Sequence, residues 1–328
     1  MLSIFRKNHF IRSLLLLVYV ILLKLPLFFY PDQVSTTSKG YLSTLVLKQV
    51  PDFFSHIILA IILCFVQAVY LNKIVIENRI TRETTLFPGM FYILLTSIFP
   101  ETSSFTPALM GLTFMLVSLD SLFEIYKKAD FSGNSFNTGF FVSLASLFYY
   151  PFIFFLLLIV IGISIIKFLK VVEIFRLLLG SLIPYLLVLY YFIWLGQPEL
   201  FLPSTIGQYL HFITAADFHL SYSEVVRLLT ISIVLILSIF NYGQFIKKKN
   251  VQAIYKIDVL FWMALLCGAS LIICHPLEWD HLYTIFIPLS IFLSMLIINT
   301  QNNMLAEFFH IMMLVLGFFI HYLTFTQL

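Results

Sequence analysis

The segment HPLEWDH, residues 275–281, carries the densest group of chemically active side chains in the sequence. Four potential metal ligands fall within seven consecutive residues: His275, Glu278, Asp280 and His281. Carboxylates and imidazoles bind divalent metals, and no HExxH spacing typical of zinc enzymes accompanies them. The segment therefore predicts a site for a divalent ion such as Mg²⁺ or Mn²⁺. The alternative is a short solvated turn in which Trp279 anchors at the lipid headgroups.

Asp32 is the candidate catalytic residue. It lies two residues beyond a long apolar run, in the sequence FFYPDQ. At that depth a carboxylate meets the lipid headgroups, where it could act as a general base toward an acceptor hydroxyl. The alternative is an ordinary turn residue, since a Pro-Asp pair favours turns.

Three further residues are candidates for substrate binding. Lys24 lies inside the first apolar run, and a Lys near the centre of a membrane helix costs about 2.5 to 3.5 kcal/mol on insertion scales. The Lys24 side chain either snorkels to the membrane interface or pairs with the phosphate of a ligand. His211 and His219 are the other two candidates, and both belong to a long connection between apolar runs.

The elements that position these residues must lie in a membrane. Of the 328 residues, 61% are hydrophobic and 11% are charged, whereas soluble domains carry about 25% charged residues. Such a chain cannot cover a water-facing surface, so its apolar excess must face lipid.

The net charge of +3 is too small for a nucleic-acid footprint. The cysteines all fall in apolar segments and are predicted to be buried thiols: Cys64, Cys267 and Cys274.

Apolar segments recur along the whole chain. About 20 apolar residues cross the hydrocarbon core as a helix, and the sequence divides into about eleven candidate spans. They are residues 10–30, 53–71, 84–99, 105–126, 138–150, 152–169, 177–195, 226–245, 259–275, 282–299 and 304–325. The run 138–168 is either one bent helix or two helices broken at Pro151. The sequence thus predicts a single all-α domain over 1–328, a polytopic transmembrane helical bundle, with long outside connections at 31–52 and 196–227.

The distribution of Lys and Arg predicts the orientation of the bundle. With a cytoplasmic N-terminus, all but four of the 19 Lys and Arg residues fall on the cytoplasmic side, as the positive-inside rule requires. The four exceptions are Lys24, Lys39, Lys48 and Arg227. The N-terminus is therefore predicted to be cytoplasmic.

The order of these features resembles that of the GT-C superfamily of polytopic glycosyltransferases. The shared layout is a cytoplasmic N-terminus, one span, an outside loop with Asp32, and an interfacial helix in GYLSTLVLKQV. The segments NTGF (137–140) and LFYYP (147–151) are similar to the start and end of a middle helix of that superfamily. HLY (281–283) and IPLS (287–290) resemble a late helix of related Bacteroidota membrane proteins.

The resemblance implies an enzyme of the bacterial inner membrane that moves a sugar from a polyprenyl-phosphate carrier to an acceptor at the outer face. Asp32 would orient or deprotonate the acceptor hydroxyl, and a divalent cation would stabilise the leaving phosphate. Members of the superfamily usually carry paired acidic residues in the first outside loop, whereas Asp32 is followed by Gln33.

Two alternatives come from other classes of protein. One is a non-enzymatic envelope scaffold that binds a protein partner, and the other is a small-molecule transporter. A transporter is expected to have broken helices and paired charges near mid-bilayer. The sequence has few such charges, which favours the scaffold over the transporter.

Overall fold

The structure, a computed structural model, consists of helices and their connections. It describes residues 2–6, 10–28, 40–50, 52–98, 104–197, 222–247, 249–273, 279–300 and 302–326. The helices are α1 (Leu2–Phe5), α2 (Phe10–Lys24), α3 (Tyr41–Gln49), α4 (Phe53–Glu77), α5 (Phe87–Ile98), α6 (Pro107–Glu124), α7 (Ser132–Phe148), α8 (Phe155–Ile166), α9 (Val171–Trp194), α10 (Tyr222–Phe240), α11 (Tyr242–Ile246), α12 (Val251–Ile273), α13 (Phe286–Asn299) and α14 (Asn303–Thr326). Short 3-10 helices cover Leu25–Phe28, Ile125–Lys127, Tyr150–Phe154 and Trp279–Ile285. Every regular element of the described residues is helical, which confirms the all-α prediction.

The helices have unequal lengths. Six segments in the described part of the chain are long and apolar enough to cross a membrane: Phe53–Glu77, Pro107–Lys127, Val171–Trp194, Val251–Ser270, Asp280–Asn299 and Asn303–Leu323. The remaining predicted spans coincide with shorter helices, such as the 12 residues of α5. A helix of that length rises about 18 Å, less than the hydrocarbon core of roughly 30 Å. The chain is a multi-pass membrane protein, and eleven full crossings stay a prediction.

Helix α5 lies at the centre of the described bundle. All of its residues are buried, and it packs against α2, α4, α13 and α14. Helix α13 is buried along almost its whole length as well. A helix that is buried on every side is enclosed by protein rather than by lipid. These two helices therefore form the core around which the other helices are arranged.

The run 138–168 forms two helices. Helix α7 ends at Phe148, a 3-10 helix follows, and α8 begins at Phe155. Pro151 has no backbone N–H and cannot continue an α-helical hydrogen-bond ladder. Helix α7 packs against α6 and α9, whereas α8 packs against α12. The break at Pro151 is confirmed, and the single bent helix is wrong.

The helix predicted in GYLSTLVLKQV is α3, and it packs against the ends of α7 and α9. A Cβ atom on Gly40 would lie 2.3 Å from the carbonyl oxygen of Leu147, so only glycine fits there. The Tyr41 ring lies 5.6 Å from the ring of Tyr150 and 5.5 Å from that of Phe192, between centroids. The helix is confirmed, and its position in the membrane interface stays a prediction.

Two glycines allow α7 and α9 to approach closely. A Cβ atom on Gly139 would lie 2.2 Å from the carbonyl oxygen of Leu177 in α9. One on Gly180 would lie 2.2 Å from the carbonyl oxygen of Phe136 in α7. Small residues at such crossings let membrane helices associate through backbone contact, because lipid supplies little hydrophobic driving force.

Gly139→Ala should destabilise the protein, since the added methyl group would force α7 and α9 apart. Overpacking of this kind costs about 1 to 3 kcal/mol, so we expect a lower thermal unfolding midpoint in detergent micelles. Gly133→Ala is the matched control in the same helix, because a Cβ atom there meets nothing within 4 Å. Equal midpoints for the two variants would contradict the close packing of α7 on α9.

Candidate functional site

Cations gather at one end of the bundle, around the connection 78–86 that joins α4 to α5. The Arg6 guanidinium lies 3.2 Å from a carboxylate oxygen of Glu83. The Lys256 ammonium donates a hydrogen bond of 2.6 Å to the side chain of Asn78. We call this connection and the cations that contact it the basic end. Residues predicted to lie on one side of the membrane thus lie together.

Lys24 is the last residue of α2 and lies at the opposite end of the bundle. Its side chain is fully buried, so it points into the protein and does not snorkel to the surface. We call Lys24 and the turn Trp279–Ile285 the Lys24 end. Burying a charge costs free energy unless a polar or charged group lies close to it.

Polar groups lie between Lys24 and the late turn in the protein interior. Lys24 is near enough to Cys64 in α4 for their charges to influence each other, and the same holds for Tyr92 in α5 with Cys64 and Tyr283. The thiol of Cys64 lies 3.4 Å from the hydroxyl of Thr96, and the Tyr283 hydroxyl accepts a hydrogen bond of 3.1 Å from Thr106. We call this series, from Lys24 to Tyr283, the buried polar path. It joins the end of the first apolar helix to a turn more than 250 residues later in the chain.

Gln67 holds the middle of the buried polar path in place. Its amide nitrogen donates hydrogen bonds of 2.7 Å to the carbonyl oxygen of Leu109 and 2.8 Å to the hydroxyl of Thr113. Its amide oxygen accepts a bond of 2.6 Å from the hydroxyl of Tyr92. A single buried amide therefore ties α4 to both α5 and α6.

Residues 280–285 of the turn are folded into the protein. Asp280 is 8% exposed and His281 is 2% exposed, so this end of the segment is not solvated, whereas residues 275–278 lie outside the described residues. The ring nitrogen Nδ1 of His281 lies 2.7 Å from the hydroxyl of Tyr149, and the Cys267 thiol donates to the His281 carbonyl oxygen at 3.3 Å. The turn is buried because α6, α12 and α13 pack around it.

Asp280 and His281 are the two predicted metal ligands that the structure describes. Successive residues of a 3-10 helix lie about 120° apart around its axis, so these two side chains leave the turn in different directions. The hydrogen bond to Tyr149 occupies Nδ1 of His281, and coordination would have to use Nε2. In the described part of the chain, no three His, Cys, Asp or Glu side chains form a group that could hold a metal.

The other predicted site residues fall outside the described residues, and so does one of the cysteines. They are Asp32, His211, His219, His275, Glu278 and Cys274. Their roles stay predictions. Cys64 and Cys267 are buried thiols, as expected.

Sequence reasoning missed most of the buried polar path. Gln67 carries the signal that could have found it, because an amide inside the apolar run FVQAVY must be hydrogen-bonded in the protein interior. Tyr92 and Tyr149 carry no such signal. In a chain rich in aromatic residues they cannot be distinguished from tyrosines of the interfacial belts.

At the basic end, burial sets the charge state of one lysine. The Lys249 ammonium donates a hydrogen bond of 2.6 Å to the carbonyl oxygen of Ile80. Burial and the nearby Arg82 guanidinium lower the pKa of Lys249 to about 8. The side chain is only half-buried, so solvent screens part of this effect.

Gln67→Leu should lower the free energy of unfolding by about 1 to 3 kcal/mol, because it removes three buried hydrogen bonds and leaves their partners unsatisfied. Thermal unfolding in micelles measures the loss. Val66→Leu, on the exposed face of the same helix, is the control and should be neutral. A neutral Gln67→Leu would show that the amide does not hold α4 to its neighbours.

The wild-type protein should gain stability relative to Lys249→Met as the pH rises from 8 to the normal lysine pKa of 10.5. In that window the unfolded chain binds the proton that the folded chain has released, so stability increases with pH. Lys249→Arg, which stays charged throughout, should show no such gain. Chemical unfolding across this pH range makes the comparison, and parallel curves for wild type and Lys249→Met would contradict the lowered pKa.

The functional argument for this protein rests on the geometry of the Lys24 end. Neither protein-family models nor curated proteins match the chain. The candidate site therefore consists of Lys24, the buried polar path, and the turn that carries Asp280 and His281.

Proposed function

We propose that this protein is a GT-C-like membrane glycosyltransferase that moves a sugar from a polyprenyl-phosphate carrier to an acceptor at the outer face of the bacterial inner membrane. The layout of spans and loops in the sequence supports this proposal, as does the structure of the Lys24 end. The carrier phosphate would bind at the Lys24 end, close to the level of the lipid headgroups.

The observation that carries the proposal is the buried polar path. It is a set of polar groups between a buried lysine of the first helix and a buried turn with a carboxylate and an imidazole. A phosphate bound inside the protein needs a nearby cation to offset the cost of burying its charge. A lysine fixed inside the protein meets that need, whereas one at the lipid surface would pair with any headgroup.

The proposed reaction consists of one proton transfer and one substitution at the anomeric carbon of the sugar. Asp32 accepts the proton of the acceptor hydroxyl while the oxygen of that hydroxyl forms a bond to the anomeric carbon of the sugar. The bond between the anomeric carbon and the phosphate oxygen breaks, and the electron pair leaves with the carrier phosphate. Lys24 stabilises the charge on that phosphate.

A divalent ion is a further part of the proposal. Asp280 and His281, together with His275 and Glu278, are the residues that would hold Mg²⁺ or Mn²⁺, which their carboxylates suit. The ion would supply electrostatic stabilisation of the leaving phosphate. The described pair alone is not a full ligand set, so no step above depends on the ion.

The orientation of the molecule belongs to the same proposal. The basic end would face the cytoplasm, because cytoplasmic connections carry the excess of Lys and Arg. Helix α1 would then be cytoplasmic as well, because Arg6, the residue that follows it, contacts Glu83 at the basic end. About eleven spans over one domain, 1–328, would place the Lys24 end on the outside.

Asp32→Asn and Lys24→Met should each cause polyprenyl-phosphate sugars to accumulate in cells that depend on this protein. Loss of a general base typically lowers a rate by about 10²- to 10⁴-fold, and loss of Lys24 should weaken binding of the carrier phosphate. Mass spectrometry of extracted lipids measures the accumulation. Each variant must be present at the wild-type level with an unchanged thermal unfolding midpoint.

Lys48→Met is the matched control, because Lys48 is an exposed lysine in α3 and is also predicted to lie outside. It should leave the lipid profile unchanged. Unchanged lipids in Asp32→Asn and Lys24→Met would contradict the transferase proposal. That result would favour the non-enzymatic scaffold and direct attention to a protein partner in the envelope.

A further inference from the structure

Arg82 and Lys249 are two cations of the basic end that have no carboxylate partner among the described residues. Arg6 at the same end pairs with Glu83 instead. The guanidinium of Arg82 is close enough to Lys249 to help lower the pKa of its ammonium, so the two positive charges repel each other. Like charges that are held together without a counter-ion favour the binding of an anion.

Each of these two cations is fixed in place by the segment that carries the other. Nη2 of Arg82 donates a hydrogen bond of 2.8 Å to the carbonyl oxygen of Lys247. The Lys249 ammonium in turn donates a bond of 2.6 Å to the carbonyl oxygen of Ile80. These crossed bonds join the connection 78–86 to the residues just before α12. An anion would meet side chains that are already in position, which lowers the entropic cost of binding.

Both side chains keep N–H groups for a ligand. A guanidinium has five N–H groups and an ammonium has three. Within the described residues each cation uses one of them for its carbonyl bond, which leaves four on Arg82 and two on Lys249. Hydrogen bonds from Arg and Lys to phosphate oxygens are shorter and stronger than those between neutral groups. The pair therefore suits a phosphate in particular.

A cavity of about 10 Å³ lies beside Arg82 and Lys249. Phe245 and Met295 contribute to its apolar wall, and Asn299 at the end of α13 lines it as well. A space of this size holds roughly one water molecule. A phosphate is larger and would lie at the mouth of the cavity, where Arg82 is exposed and Lys249 is half-buried.

The position of the two cations along the bundle indicates the source of the phosphate. Helix α4 ends at Glu77, shortly before Arg82, and α13 ends at Asn299 beside both cations. Both helices belong to segments that are long and apolar enough to cross a membrane. Long basic side chains just beyond the ends of such helices lie at the depth of the lipid headgroups. A lipid phosphate is therefore nearer to the pair than a phosphate from solution.

We propose that Arg82 and Lys249 bind the phosphate of an anionic phospholipid from the leaflet at the basic end. The phosphate oxygens accept hydrogen bonds from both side chains and offset the repulsion between them. A zwitterionic headgroup would bring its own cation toward this pair, which like-charge repulsion disfavours. The site lies at the other end of the bundle from Lys24 and does not depend on the proposed transferase activity.

The test is binding of single lipids to the delipidated full-length protein in detergent, measured by native mass spectrometry. The probes are phosphatidylglycerol and phosphatidylcholine with identical acyl chains, and inorganic phosphate is added as a competitor. We expect phosphatidylglycerol to bind about tenfold more tightly than phosphatidylcholine, a difference of ~1.4 kcal/mol. Inorganic phosphate at the same concentration should not displace phosphatidylglycerol, because the free ion lacks acyl chains that bury apolar surface.

Variants of the two cations assign the binding to this site. Arg82→Gln and Lys249→Gln should each weaken binding of phosphatidylglycerol by about tenfold. Each change removes one charge but keeps an N–H group for the carbonyl bond. Lys249→Arg keeps the charge and should bind the lipid as tightly as the wild type does. Lys170→Gln is the control, because it removes an exposed lysine that is also predicted to be cytoplasmic, and it should have no effect.

Asn299→Asp keeps the test decisive if the loss of a cation unfolds the protein. This isosteric change places a carboxylate beside Arg82 and Lys249 without removing either cation. The new carboxylate would compete for their N–H groups and should weaken binding of phosphatidylglycerol by about tenfold. Three results would overturn the proposal: equal affinity for the two lipids, displacement of phosphatidylglycerol by inorganic phosphate, or a loss in Lys170→Gln as large as that in Arg82→Gln.

Discussion

Hydrogen bonds between α4 and its neighbours set the arrangement on which the candidate site depends. Inside a bilayer no water is present to satisfy a polar group, so each one must find a partner in the protein. Cys64, Gln67 and Asn72 lie on the buried side of α4 and bond to Thr96, Tyr92 and Gly89 of α5. Because α5 is enclosed by other helices, its position follows from these bonds and from close packing. The Lys24 end is assembled around that fixed pair of helices.

The two ends of the bundle bury different charged groups. At the basic end, Arg6 and Glu83 pair near the surface, where both are nearly half exposed, and the buried Lys256 bonds to Asn78. At the Lys24 end, a lysine, Asp280 and His281 are buried. Exposed pairs contribute little to stability, whereas buried charged groups cost free energy and are often found at functional sites. The burial of a carboxylate and an imidazole as well as a lysine is the reason for placing chemistry at the Lys24 end.

Hydropathy and Pro151 were enough to predict where helices occur, because apolar length and the missing proline N–H act locally. They could not separate α5, which faces protein on all sides, from α9, which exposes most of its apolar residues. Lipid and protein interiors select the same side chains. The direction of Lys24 and the burial of His281 depend on the packing of helices far apart in the chain, as in the hydrogen bond between His281 and Tyr149. No local pattern encodes those contacts.

The central claim is that Lys24 is the cation that receives the phosphate of a polyprenyl carrier. Cryo-electron microscopy of the full chain with an added polyprenyl phosphate tests it most directly. The account predicts density for the phosphate within hydrogen-bond distance of the Lys24 ammonium, with the polyprenyl chain leading out to the lipid. Phosphate density at another place, with Lys24 enclosed by protein side chains alone, would contradict it.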